Sequence, residues 1–151
     1  MQVQETKIQE QRLEQLPVFY MEQIVRQYRQ LATQALKSHQ AGLSVDQWVV
    51  LKQISENNGS SQVEIGSSTV KDAPTTTRII DQLVGKNLVS KQLDPEDRRR
   101  YMVFVTEKGR QLIERLIPVV QEYRQVPLRG FSASEQKQLI ALLQRMLKNL
   151  E

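Results

Sequence analysis

Residues 88–105 read LVSKQLDPEDRRRYMVFV, and this stretch decides the fold. Leu88 to Leu93 is a short extended run. Tyr101 to Val105 is a second, with Tyr101, Val103 and Val105 on one face and Met102 and Phe104 on the other. The seven residues between them, Asp94-Pro95-Glu96-Asp97-Arg98-Arg99-Arg100, are polar and turn-forming and make the tip of a hairpin. Three adjacent arginines repel one another on a free surface, so their presence at a tip points to an anionic partner. Asp97 lies two residues before Arg99, close enough to orient its guanidinium by a salt bridge.

Working outward, the segments on both sides are helical. Upstream, Asp72 is an N-cap residue with Pro74 in the first turn, and a helix runs to Lys86 and stops at Asn87, which tolerates the left-handed C-terminal position. A shorter helix is predicted over about Ser61 to Ser67. Before it, Ser44 and Gln47 form a capping box, with Leu43 and Trp48 at the two positions of a hydrophobic staple, so another helix runs to the Asn57-Asn58-Gly59 turn. Trp48 joins that helix's apolar face and is expected in the core. Downstream, Thr106 caps a helix bearing Leu112, Ile113, Leu116, Ile117, Val120 and Tyr123, in which Pro118 is expected to introduce a kink. Ser132 and Glu135 box the last helix, with Leu139, Leu142, Leu143, Met146, Leu147 and Leu150 on one stripe.

The order helix, helix, helix, strand, strand, helix is a winged helix-turn-helix, and the fold is mainly α with a small β-wing. At the start of the chain Leu13, Leu16, Tyr20, Ile24, Tyr28, Leu31 and Ala35 recur at helical spacing, giving a helix from Pro17 to about His39 after a polar, Gln-rich arm. The flanking helices carry more apolar surface than one small winged domain can cover. The expected division is therefore residues 1–41 and 107–151 as a helical dimerisation region around a winged helix-turn-helix at 42–106.

At 100° per residue, the helix after Asp72 gathers Ile79, Ile80, Leu83 and Val84 on one side, with Ala73 and Thr76 among them. Pro74, Thr75, Thr77, Arg78, Asp81 and Gln82 fall on the other. An arginine there can grip guanine or a phosphate, and a threonine can donate to phosphate or touch a thymine methyl. The hairpin arginines fit a narrow minor groove, whose negative potential accepts an inserted arginine. Lys71 is placed to add a phosphate contact.

Composition sets the outer limits. The 151 residues include 39% hydrophobic and 25% charged residues and carry a formal net charge of +4, which suits a globular chain and permits a nucleic-acid partner. With no cysteine and one histidine, disulfides, thiolate metal sites and cysteine redox sensing are excluded, and the usual acid–base and metal-ligand residues are scarce. No nucleophile–base set, glycine-rich phosphate loop or metal-ligand cluster is found, so an enzyme is not expected, nor a cofactor. No run approaches a membrane span and no signal-peptide pattern opens the chain; a cytoplasmic protein is expected.

The hairpin motif with its continuation Glu107-Lys108-Gly109 resembles the wing signature of MarR-type transcriptional regulators, and 72–83 resembles their recognition helix. The likeness extends over almost the whole chain; Asn87 stands where a glycine is common, and Thr69-Val70-Lys71 where a leucine-glycine-leucine type turn is usual. The resemblance implies a homodimeric repressor that binds a pseudo-palindromic operator in double-stranded DNA and is released by a small effector. By it, Arg99 is the minor-groove arginine, with Arg98 and Arg100 beside it and Asp97 as its partner. Pro74, Thr75, Thr77, Arg78 and Gln82 serve the major groove. The family commonly binds small, anionic aromatic effectors in the cleft between the dimerisation helices and the winged domain; Tyr28 and His39 are the candidates to line it. The alternative is a winged helix that contacts an acidic protein instead of DNA.

Overall fold

The computed structural model describes residues 10–68 and 71–151. The Gln-rich arm over residues 1–9, and Thr69 and Val70 of the turn before Lys71, lie outside the described residues. The elements in order are α1 (Pro17–Ser38), α2 (Val45–Glu56), α3 (Gln62–Ser67), α4 (Ala73–Gly85), β1 (Val89–Leu93), β2 (Tyr101–Val105), α5 (Glu107–Gln125) and α6 (Ala133–Lys148). Short 3-10 turns precede α1 and follow α5.

Local chemistry accounts for most of the boundaries. Ser44, Ser61 and Ser132 each accept from the backbone N–H three residues on, while Gln47, Glu64 and Glu135 return the bond to the cap residue's own N–H. Asp72 caps α4 through Thr75 N–H at 2.8 Å, and Thr106 caps α5 through Gly109 N–H at 3.1 Å. The C-terminus of α4 closes as a Schellman motif. Asn87, at φ 58°, donates to Val84 O at 2.9 Å, and Leu88 donates to Leu83 O at 3.0 Å. α1 ends the same way around Gln40 at φ 50°, with Ala41 donating to Leu36 O at 3.0 Å. α5 runs on through Pro118 as one helix.

The two strands pair antiparallel, Val89 opposite Val105 and Leu93 opposite Tyr101. The segment before α3 adds a partial third strand. Gly59 donates to Val103 O and Val103 donates to Ser60 O, Ser61 bridges Met102, and the Asn58 side chain accepts from Val105 N–H at 2.8 Å. Gly59, at φ 88°, lies against the Phe104 ring, which comes within 3.1 Å of where a Cβ would stand.

One core joins these parts. Leu36 of α1, Trp48, Leu51 and Ile54 of α2, Ile65 of α3, Ile80 and Leu83 of α4, Val103 of β2 and Leu116 and Val120 of α5 are all buried in it. Thr76 is buried too, its hydroxyl turned back on the Asp72 carbonyl at 3.0 Å. Ala73, expected on the same inner side, is exposed instead. It is the first residue of α4, beyond the reach of the core that the later turns cover. α6 buries none of its residues, and Ile140, Leu142 and Leu147 are exposed along it, as is Leu150 just beyond; Val18, Tyr20, Ile24 and Val25 of α1 are exposed as well.

Candidate nucleic-acid interface

The exposed side of α4 and the tip of the hairpin carry the candidate residues. Arg78 is exposed on the α4 face, and among the described residues it has no ion pair or hydrogen bond. Pro74 is exposed in the first turn, and Thr75 is half-buried behind it. Thr77 is half-buried and its hydroxyl meets the Gln62 amide of α3 at 2.9 Å. Gln82 is exposed one turn after Arg78 and accepts from the Gln47 side chain of α2 at 2.9 Å. Asp81, on the same face, is neutralised by Lys91 of β1 at 2.7 Å, and Lys91 also lies 5.1 Å over the Tyr101 ring.

The tip is built from two side-chain-capped turns. Asp94 accepts from Glu96 N–H at 2.9 Å, and Asp97 accepts from Arg99 N–H at 3.0 Å. The same Asp97 oxygen takes the Arg99 Nε–H at 3.2 Å, while 91% of the Arg99 side chain stays exposed. The carboxylate thus holds the guanidinium upright without covering it. These two bonds to Arg99, backbone first, hold the Asp97 carboxyl below its ordinary range. Arg98 is exposed and unpaired among the described residues, whereas Arg100 leans back to Glu64 of α3 at 3.8 Å. Of the three arginines, Arg98 and Arg99 project from the tip and Arg100 ties the wing to α3.

Lys71, expected to add a phosphate contact, is partly exposed and stands beside Asp46. Its ammonium lies 3.4 Å from Asp46, which Arg29 of α1 also grips at 2.8 Å. Burial pushes the Asp46 carboxyl up, but the Arg29 bond and charge and the Lys71 charge outweigh it, and the net shift is downward. Asp46 therefore clamps α1, the head of α2 and the approach to α4 together. No feature of the sequence marks this.

A rigid helix with an arginine-centred outer face, flanked by a two-stranded wing ending in exposed guanidinium groups, fits duplex DNA. A model of the MarR family matches residues 43–101, which span α2 to the start of β2. The HTH-type transcriptional repressor IacR of Pseudomonas putida is 32% identical over 140 residues, 93% of this chain and 83% of that protein. The chain belongs to the MarR family. It is a DNA-binding transcriptional regulator. Among solved structures, a mutant MarR from E. coli complexed with operator DNA is similar with a TM-score of 0.78 and 25% identity, covering 85% of this chain and 91% of that one. Bordetella bronchiseptica BpsR, whose DNA binding is regulated by 6-hydroxynicotinic acid, shares the fold with a TM-score of 0.83 and 23% identity, over 91% of this chain and 96% of that one.

The two residues expected to line the effector cleft of this family member are not brought together. Tyr28 and His39 are eleven positions apart on one helix, about 16 Å along its axis. Tyr28 packs edge-on against Tyr123, with ring centroids 5.8 Å apart. His39 is the exposed C-cap of α1, its Nδ1 2.8 Å from the Ala35 carbonyl and its own carbonyl held by Arg115 at 2.7 Å. Sequence reading missed a cavity of about 210 Å³ between α2 and α5, lined by Trp48, Lys52, Ile117, Val120, Gln121 and Arg124. The Trp48 indole N–H is buried and has no hydrogen-bond partner. Lys52 is paired with Glu56 at 2.7 Å, while Arg124 is exposed and unpaired among the described residues. No helix of the described residues is long and apolar enough to cross a membrane.

Proposed function

We propose that the chain is a homodimeric repressor. In this reading residues 1–41 and 107–151 form the dimerisation region and residues 42–106 the DNA-binding unit. The two copies of α4 enter successive major grooves of a pseudo-palindromic operator, about 34 Å apart, and the wings take the flanking minor grooves. The observation that carries it is the exposed Arg99 guanidinium, oriented by Asp97 at 3.2 Å on a tip beside the Arg78 face of α4. The apolar residues left exposed on α6 and on the first half of α1 support the dimer. The protein acts by binding, in the cytoplasm, with no catalysis and no cofactor.

Arg99→Ala and Arg78→Ala test the DNA contacts on specific and random duplexes at several salt concentrations. Removing the Arg99 side chain weakens binding most on A-tract flanks, and the salt slope falls by about one unit for every phosphate no longer neutralised. Removing the Arg78 side chain relaxes one operator position by about 1–3 kcal/mol. Full operator affinity in the double variant refutes the assignment and leaves an acidic protein partner as the better account. Dimerisation is checked by sedimentation at micromolar concentration, where a stable folded monomer contradicts it.

The effector site in this reading is the cavity beside Trp48, not one lined by Tyr28 and His39. A lining that sets Trp48, Ile117 and Val120 against the Lys52 and Arg124 charges suits a single-ring aromatic acid. Such a ligand releases DNA only through tighter binding to the dimer form whose two α4 helices do not match the operator. Trp48 is the chain's one tryptophan, so its fluorescence reports occupancy directly. Saturable quenching by small aromatic carboxylates, abolished in Arg124→Ala, is expected; no spectral response to any of them removes the cavity from consideration.

A further inference from the structure

A strip of the wing joins the exposed face of α4 to the arginine tip. Lys91 of β1 reaches Asp81 on that face of α4 at 2.7 Å, and the same ammonium lies 5.1 Å over the Tyr101 ring. Tyr101 follows Arg100 directly and pairs with Leu93, the residue before Asp94, so the two stand at the base of the tip. Val103 and Val105 share a face of β2 with Tyr101, and both are buried in the core. Tyr101 is therefore on the α4 side of the wing, where the core runs out. It is 45% exposed, and Leu93 opposite it is exposed as well. Among the described residues the Tyr101 hydroxyl has no hydrogen bond.

A major groove and the minor groove next to it are separated by one sugar–phosphate backbone. With α4 in the first and Arg99 in the second, that backbone passes over the surface between them, which is Lys91 and Tyr101. The Asp81 carboxylate would repel it there, but Lys91 neutralises that charge. A tyrosine hydroxyl is a donor, and tyrosine is among the side chains that hold phosphate oxygens. We propose that Tyr101 is a DNA-binding residue: its hydroxyl donates to a phosphate of the strand that separates the two grooves, and its ring and Leu93 lie against the adjoining deoxyribose. Such a contact reads no base and fixes the register of α4 against the tip. This inference rests on the reading that α4 enters the major groove and the tip the minor groove.

The test is Tyr101→Phe in the full-length protein, on an operator that the wild type selects from randomised duplexes. Phenylalanine keeps a ring under the Lys91 ammonium and beside Leu93, so Tm is expected to stay unchanged. Affinity is expected to fall about ten-fold, by the same factor on the operator and on its single-base variants. The salt slope is expected to remain that of the wild type, because a hydroxyl releases no counterion, whereas Arg99→Ala, run alongside, lowers it by about one unit. Operators carrying a single uncharged methylphosphonate then locate the contact. At one phosphate per half-site the replacement and Tyr101→Phe are expected to be non-additive, and at every other phosphate additive. Unchanged affinity in Tyr101→Phe overturns the proposal, as does a loss accompanied by altered base preference, a lowered salt slope or additivity at every phosphate. With Arg99→Ala behaving as expected, each of those results strikes the proposal alone. Unchanged affinity and slope in Arg99→Ala would remove the minor-groove reading of the tip, and the proposal with it.

Discussion

Gly109, in the third position of α5, is where α5 meets the end of β2 and the link from α4 to β1, and it gives a sharp test of the packing. A Cβ placed there overlaps the Leu88 carbonyl oxygen and comes within 2.8 Å of Val105 Cγ1. The carbonyl has little room to yield. It accepts from Thr106 N–H at 3.1 Å, and the Leu88 N–H closes the end of α4 on Leu83 O at 3.0 Å. Alanine is normally favoured over glycine inside a helix by about 1 kcal/mol. Overpacking against immobile atoms costs about 1–3 kcal/mol, and backbone obstruction puts this site at the upper end. Gly109→Ala is therefore expected to destabilise by about 2 kcal/mol net, or about 4–8 °C in Tm for a chain of this size. Gly66 and Gly85 are also helical, and a Cβ at either meets nothing within 4 Å. Gly66→Ala and Gly85→Ala are expected to hold or raise stability by up to about 1 kcal/mol. Urea unfolding of the three variants at one protein concentration makes the comparison. A Gly109→Ala protein as stable as Gly66→Ala would refute the close approach of α5 to the end of α4.

Two further outcomes are expected. Gln40→Gly relieves a left-handed residue with no side-chain compensation and should stabilise by about 0.5–1 kcal/mol, while Asn87→Gly gains less because asparagine tolerates that region; equal or reversed effects in thermal melts contradict the two helix ends as described. On acidification, Asp46, Glu64, Asp72, Asp97 and Glu107 all have folded values held below the ordinary 3.8 for Asp and 4.5 for Glu. Their contribution is full above those values and is lost as pH falls through the lower folded ones, so Tm should decline from about pH 4 downward, and a flat profile to pH 3 excludes these bonds as contributors.

The parts of this protein legible in its sequence are those governed by neighbours three or four residues away. The Ser44–Gln47 and Ser132–Glu135 boxes, the Asp72 and Thr106 caps and the left-handed Asn87 are local hydrogen-bond arrangements, and periodicity alone turns Thr76 inward and Arg78 outward. The Asp97–Arg99 contact is of the same kind, two residues apart at a hairpin tip. Tertiary structure decided what depends on segments distant in the chain. Gln47 meets Gln82 across 35 positions and Asn58 meets Val105 across 47. Arg29 and Lys71, far apart in the chain, converge on the same Asp46 oxygen. The cavity beside Trp48 exists only because α5 packs across α2, while the rise of a single straight helix keeps Tyr28 and His39 apart. Chain spacing decides which groups can pair locally, but only the packing of distant segments decides which partners the remaining polar side chains meet.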